Sequence, residues 1–405
     1  MYIRLSIFFI LTVSTRSFLV QPSVKNSGVT TNQSTDTTTI GNLIVPSVGI
    51  GTISWSSKSM NTLSNLEYQS LVKEACKQDA AFFDTAERYG SNYKTAIGLG
   101  WGETERMLRK YLEAEKDSLA NGSEYGSTKL RPIVATKFTP SPWRNTKESV
   151  VEACEQSMRR LGVDSIDLYQ LHMPDIVQPL KIFGLESNKD EIYWEGLAEC
   201  YHRGLVKNVG VCNYGPTLLS KCQETLAKYS VPLASNQIAY SLIGRHNGAQ
   251  ETLDKCNELG IKALAYYPYA MGLLTGKYSK QSFESLNEEL LTSTKTPLEI
   301  KDLSGYSVEA EPLISLMEQI GKKRGKTVSQ VALNYIICKG AIPIPGARTV
   351  AQLKDNVGGM GWRLTNDEVQ SLEEEAGKIR GFEGAGFKLT SGKFVGYGVE
   401  KWRLN

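Results

Sequence analysis

The chain reads as a closed (β/α)8 barrel, a TIM barrel, with an N-terminal β-hairpin and extended loops after its strands. Three observations predict it. Eight apolar runs of strand length follow one another: Ser47–Thr52, Ala80–Asp84, Ile133–Lys137, Ile166–His172, Val206–Asn213, Ser235–Ala239, Ala263–Tyr266 and Ala341–Pro345. Amphipathic stretches lie between them. In Glu148–Leu161, Val151, Cys154, Met158 and Leu161 share one face at helical spacing. A doubly wound open sheet is the alternative, but it usually begins with a glycine-rich turn, and none follows the first run. Strands alternating with helices imply a parallel sheet wrapped by those helices, and eight such units close on themselves.

Ahead of the first run, residues 1–38 have a different character. Arg4 precedes an apolar stretch from Leu5 to Val13, followed by Ser14, Thr15, Ser17 and Phe18. That stretch is too short to span a bilayer and suits a signal-peptide core. Next, "SVKNSGVTTNQSTDTTT" is rich in Ser and Thr, with Asp36 its only acid, which is transit-peptide composition. The order resembles the bipartite plastid-targeting presequence of algae with secondary plastids. Secretion is the alternative, and the sequons at Asn32 and Asn121 would permit it. Seven widely spaced cysteines, odd in number and without a C-x-x-C, read instead as free thiols in a reducing compartment. Residues 39–380 are assigned to the barrel. Residues 381–405 form a tail expected to shape a substrate pocket.

At 41% hydrophobic and 22% charged, the chain can bury one large core. No Lys/Arg stripe is interleaved with aromatics, so a nucleic-acid partner has no support. With three histidines, no metal site is expected. Nor is a membrane span expected once the presequence is removed. Lys116–Leu130, Tyr278–Tyr306 and the tail after Ile379 read as insertions, the last two being substrate loops or simply solvated.

The second, third and fourth runs end in Asp84, Lys137 and His172, and Tyr89 follows the second. Asp84-Thr85-Ala86-Glu87 also fits a helix capping box. In a barrel, however, the three strand ends are neighbours on one rim, and an acid, an amine, an imidazole and a phenol converge. That set suits carbonyl reduction. The alkoxide formed by hydride delivery needs a proton; a phenol can give it, and a nearby ammonium is expected to lower the phenol's pKa. Asp84 would hold Lys137, Lys137 would tune Tyr89, and His172 would orient the carbonyl.

At these residues the chain resembles the aldo-keto reductase superfamily, especially its plant and algal plastid members. The matching stretches are "FFDTAERYGS", "IVATKF", "LYQLHMP", "GLVKNVGVCNYG", "ASNQIAYSLI", "LAYYPYAMGLLTGKY" and "IPIPGARTVAQLKDNVGGMGWRLTNDE". The resemblance implies the barrel, NADPH as cofactor, a small carbonyl substrate and a tetrad at Asp84, Tyr89, Lys137 and His172. No G-x-G-x-x-G or Walker A spacing is present. A nicotinamide cofactor would therefore be held by strand-end and loop groups. The amides of Asn213 and Gln237 suit its carboxamide, and Tyr266 offers a face to its ring. Gly272 and the following loop, with Lys277, suit the pyrophosphate. Gly346, Arg348, Thr349, Gln352 and Asn356 lead into a helix N-terminus suited to an anion, with Arg348 on the 2′-phosphate. Cys212 stands where the family has serine, and Tyr267 and Tyr269 where Ser and Leu are commoner. Two other functions fit: a cofactor-binding regulatory protein like the potassium-channel β subunits, and a dedicated pyridoxal reductase.

Overall fold

A computed structural model describes residues 36–55, 65–90, 101–120, 131–141, 143–175, 189–246, 248–277 and 298–379, with two short strands in the tail. Eight parallel strands form one sheet: β3 (Ile50–Gly51), β4 (Phe82–Asp84), β5 (Ile133–Phe138), β6 (Leu168–Leu171), β7 (Val209–Cys212), β8 (Leu233–Ala239), β9 (Lys262–Tyr266) and β10 (Ile342–Pro343). Each pairs with its successor. The sheet then closes: Gly49 N–H donates to Pro343 O and Gly51 N–H to Pro345 O, both at 2.9 Å, and Gly51 bridges Gly346 in parallel. The strands at the seam, β3 and β10, are shorter than their apolar runs, although Ile344 N–H still bonds to Ala265 O beyond β10. Glycine suits this seam: a Cβ at Gly49 would meet Phe82 at 3.0 Å, and one at Gly51 the Ile344 carbonyl at 3.3 Å.

Alternation within each strand divides the core in two. Phe83, Val134, Phe138, Tyr169 and Leu171 face outward under the helices. Phe82, Ile133, Ala135, Leu168, Leu264, Ile342 and Ile344 fill the barrel interior together with Ile40, Leu43 and Val45. Those last three come from an N-terminal hairpin, β1 (Thr37–Ile40) and β2 (Leu43–Pro46). Its turn is tied to the barrel: Asn208 Nδ2 donates to Asn42 Oδ1 at 2.7 Å, and Asn42 N–H to Asn208 Oδ1 at 3.2 Å. Gly41 at the turn has φ +55, and a Cβ there would overlap Asn208.

The helix expected at Glu148–Leu161 spans Lys147–Leu161, capped by Thr146 at its start and a left-handed Gly162 at its end. Asp84 caps no helix; the turn after β4 is irregular. Strand β1 begins inside the stretch assigned to the presequence, and Asp36 holds Arg363 at 2.6 Å. The rest of that stretch lies outside the described residues, as do most of the three insertions. The helix Glu103–Ala120 enters the first insertion, and the helix Leu298–Lys322 begins inside the second. The tail holds one antiparallel pair, Phe387–Lys388 with Phe394–Val395. All seven cysteines are free thiols. Among the described residues no helix is long and apolar enough to cross a membrane.

Candidate active site

Reading inward positions along a strand toward its C-terminal end, apolar residues give way to polar ones: Phe82 to Asp84 on β4, Ile133 and Ala135 to Lys137 on β5, and Leu168 and Gln170 to His172 just past β6. Parallel register brings these ends side by side. Lys137 is fully buried. Its Nζ donates to Asp84 Oδ2 at 2.6 Å, to Thr85 O at 2.9 Å and to Tyr89 Oη at 3.1 Å, so all three ammonium protons have acceptors. Asp84 Oδ1 accepts from Gln237 Nε2 at 2.8 Å and from Gln170 Nε2 at 3.4 Å. The His172 ring meets Tyr89 edge to face, centroids 5.7 Å apart. The four side chains expected to converge do so.

The electrostatics differ from expectation at one point. Burial would lower Lys137, but the adjoining Asp84 carboxylate outweighs it and holds the ammonium above its ordinary value. Tyr89 is half-buried, with its hydroxyl turned onto Lys137. Burial of that hydroxyl pushes the phenol up to about 12, and the attraction of Lys137 only moderates the rise. Lys137 therefore does not bring the phenol below its ordinary value here. His172 is driven well below its usual range by burial and by Lys137 and Arg88, which keeps the imidazole neutral. Burial also raises Cys212, leaving a thiol whose Sγ lies 3.8 Å from Gln170 Oε1.

These groups open into a cavity of about 400 Å³. Tyr89, His172, Cys212, Asn213, Gln237, Tyr266, Tyr267, Gly272 and Gly346 are among its lining residues. Asn213 (φ +64), Tyr267 (φ +54) and Met271 (φ +58), all in its wall, adopt left-handed backbone conformations that non-glycine residues rarely take. Tyr266 Oη donates to Asn213 Oδ1 at 2.8 Å, and Asn213 Nδ2 to the His172 carbonyl at 3.2 Å. A second hollow of about 380 Å³ is lined by Leu66, Glu67, Ser70, Arg348, Thr349, Val350 and Ala351. Gly346 lines the first and Arg348 the second, two residues apart along the chain.

Other expected cofactor residues are engaged within the protein. Thr349 caps the helix Val350–Val357 by accepting from Gln352 N–H at 3.1 Å, while Gln352 Oε1 accepts from Arg348 N–H at 2.8 Å. Asn356 is buried. Its Oδ1 accepts from Tyr269 Oη at 2.6 Å, and its Nδ2 donates to Gly346 O at 3.3 Å. Lys277 is exposed and lines neither hollow. Gln170, Thr139, Glu87 and Arg144 join the site without having been singled out. For Glu87 the signal was present, since it lies in the same turn as Tyr89.

The profile of the Aldo/keto reductase family matches residues 47–376. The chain is 36% identical over 341 residues to a chloroplastic pyridoxal reductase of Arabidopsis thaliana, covering 83% of this chain and 85% of that one. It is 24% identical over 297 residues to an L-glyceraldehyde 3-phosphate reductase of Escherichia coli O157:H7, covering 71% and 77%. Among solved structures, a Bombyx mori aldo-keto reductase in complex with NADP superposes with a TM-score of 0.58 at 21% identity, covering 83% of this chain and 90% of that one.

Proposed function

This chain belongs to the aldo/keto reductase family, and we propose that it reduces an aldehyde to an alcohol with Tyr89 as proton donor. As a member it is an NADP-dependent oxidoreductase. The observation that carries the residue assignment is the Tyr89 hydroxyl, 3.1 Å from the buried Lys137 ammonium and facing a cavity it shares with His172. Bound NADPH supplies the hydride. Tyr266, Asn213 and Gln237 suit the nicotinamide head, and Arg348 the phosphate at the far end.

The substrate oxygen sits between Tyr89 Oη and the His172 ring. Its carbon takes the hydride, and the oxygen, becoming an alkoxide, takes the phenolic proton. The phenolate left behind is stabilised by Lys137, whose charge is fixed in place by Asp84. Solvent then returns a proton to Tyr89. A phenol at about 12 remains a protonated donor across the physiological range. In this account the role of Lys137 lies in stabilising the phenolate once it forms, while the resting phenol stays neutral.

Pyridoxal is the first aldehyde to test, because the Arabidopsis relative bears that name and Tyr266 and Tyr267 add aromatic surface to the cavity. A plastid location accords with the chloroplastic relative and with the reading of residues 1–38. The assay is NADPH oxidation by purified protein over a panel of small aldehydes that includes pyridoxal. Turnover with none of them would remove the reductase reading and favour the regulatory one. Turnover with many, and no preference for pyridoxal, would make it a broad reductase.

A further inference from the structure

The turn that carries Asp84 and Tyr89 also carries Glu87, which is 1% exposed. Its Oε1 accepts from Thr139 N–H at 2.7 Å and from Arg144 Nη1 at 2.6 Å. The same Arg144 nitrogen donates to Thr139 O at 3.1 Å, and Nη2 reaches Glu87 Oε2 at 3.2 Å. Arg144 is itself held by ring faces, 4.1 Å from the Phe138 centroid and 4.9 Å from that of Trp101. Thr139 is thus gripped at both its amide and its carbonyl by one buried ion pair. It is 2% exposed, and its Oγ1 lies 3.4 Å from His172 Nδ1. The backbone adds a third restraint, since His172 N–H donates to Phe138 O at 2.8 Å.

We propose that Thr139 is a positioning residue that keeps the His172 proton on Nε2, and that the Glu87–Arg144 pair acts by fixing Thr139. The argument is one of donors and acceptors. Among the described residues Thr139 Oγ1 makes no other hydrogen bond, so the buried hydroxyl proton has His172 Nδ1 as its acceptor. An Nδ1 that accepts carries no proton, and in a neutral imidazole the proton then lies on Nε2. Nε2–H is the tautomer that can donate to a substrate carbonyl. The catalytic consequence rests on the place given to His172 above; the tautomer itself does not.

The chain has three histidines, so 15N-histidine labelling gives three sets of ring signals. His202 is an internal reference: its Nε2 lies 2.8 Å from Tyr229 O, a pure acceptor, so it carries its proton on Nε2. His172 is identified by the signals lost in His172→Gln. The wild-type protein is expected to show His172 as Nε2–H. Thr139→Val, nearly isosteric, should move it toward Nδ1–H. It should also lower kcat about ten- to a hundredfold with the KM for NADPH nearly unchanged, and Thr139→Ser should restore both. Arg144→Lys, which keeps the charge but loses the two-point grip, should move the tautomer the same way by less. An Nδ1–H signal in the wild type, or a tautomer unmoved by Thr139→Val and Arg144→Lys alike, would overturn the proposal. A tautomer that moves while kcat does not would uphold Thr139 and sink the role given to His172.

Discussion

The two ends of this barrel are built from the same strands on opposite rules. At the hairpin end the inward residues are Phe82, Ile133 and Leu168, packed under Ile40, Leu43 and Val45. The polar contacts there are the reciprocal Asn42–Asn208 pair and a carboxylate, Asp167, held by Arg131 and Lys207. Two residues further along each strand the inward positions hold Asp84, Ala135 and Gln170, and beyond them Lys137 and His172. The fully buried Lys137–Asp84 pair and left-handed backbone at Asn213, Tyr267 and Met271 lie at that end. One end contributes packing. The other holds groups that pack at a cost, to which the proposed function gives the chemistry.

Substitutions that separate activity from stability test this division most directly. Tyr89→Phe should lower turnover by about 10²–10⁴-fold while thermal unfolding and NADPH affinity change little. A large loss of stability would place Tyr89 with the packing residues. Ile40→Ala should behave in reverse, costing about 2–5 kcal/mol in denaturant unfolding with kcat kept. If kcat fell in the folded protein, the two ends would be coupled more tightly than their composition implies.

A third test asks whether the catalytic end carries a stability cost. Asp190, beyond β6, is 4% exposed, and burial raises its carboxyl to about 6 despite bonds from Tyr214 Oη and Asp175 N–H. The unfolded chain loses this proton near 3.8 and the folded one near 6. Between those values the folded state binds more protons, so its contribution favours folding below about pH 4 and is lost as pH rises through 6. The swing is about 3 kcal/mol. Asp190→Asn keeps the acceptor oxygen and should flatten unfolding free energy across pH 4–6; an unchanged slope would remove Asp190 as its source. The smallest effect is expected at the rim. Arg348→Ala should weaken NADPH about ten- to a hundredfold in equilibrium binding and leave NADH nearly unaffected. Equal losses would assign Arg348 to packing.

Much of this division was legible in the sequence. Eight apolar runs alternating with helical stretches, three of them ending in Asp84, Lys137 and His172, were enough to give the barrel and its rim. Strand limits were not: Ser47–Gly49, read as the start of the first strand, precede β3, and Ser47 N–H bonds to Asp36 O, outside the sheet. Nor was the electrostatic balance at Tyr89, since burial depends on neighbours brought in by other strands. Thr139 and Arg144 lie in a polar turn with no periodicity, and their hold on His172 exists only once β5 and β6 are paired. Asn356 carried a motif for the cofactor, while its bond to Tyr269 is a tertiary contact that no local pattern announces.

Closure of the sheet has a consequence for how the chain reaches this state. Gly51 pairs at the far end with Gly346, and Trp55 Nε1 donates to Ala347 O at 3.1 Å across 292 positions. Nearest-neighbour strands can pair as they leave the ribosome, but this seam waits for the last strand. Until then both β3 and β9 present open edges, which recruit other chains as readily as their own. A ribosome that stalls before Ile342 leaves a product with most of the barrel and neither edge closed. The sheet therefore stays exposed to misassociation until the strand Ile342–Pro343 has been made, however early the other strands pair.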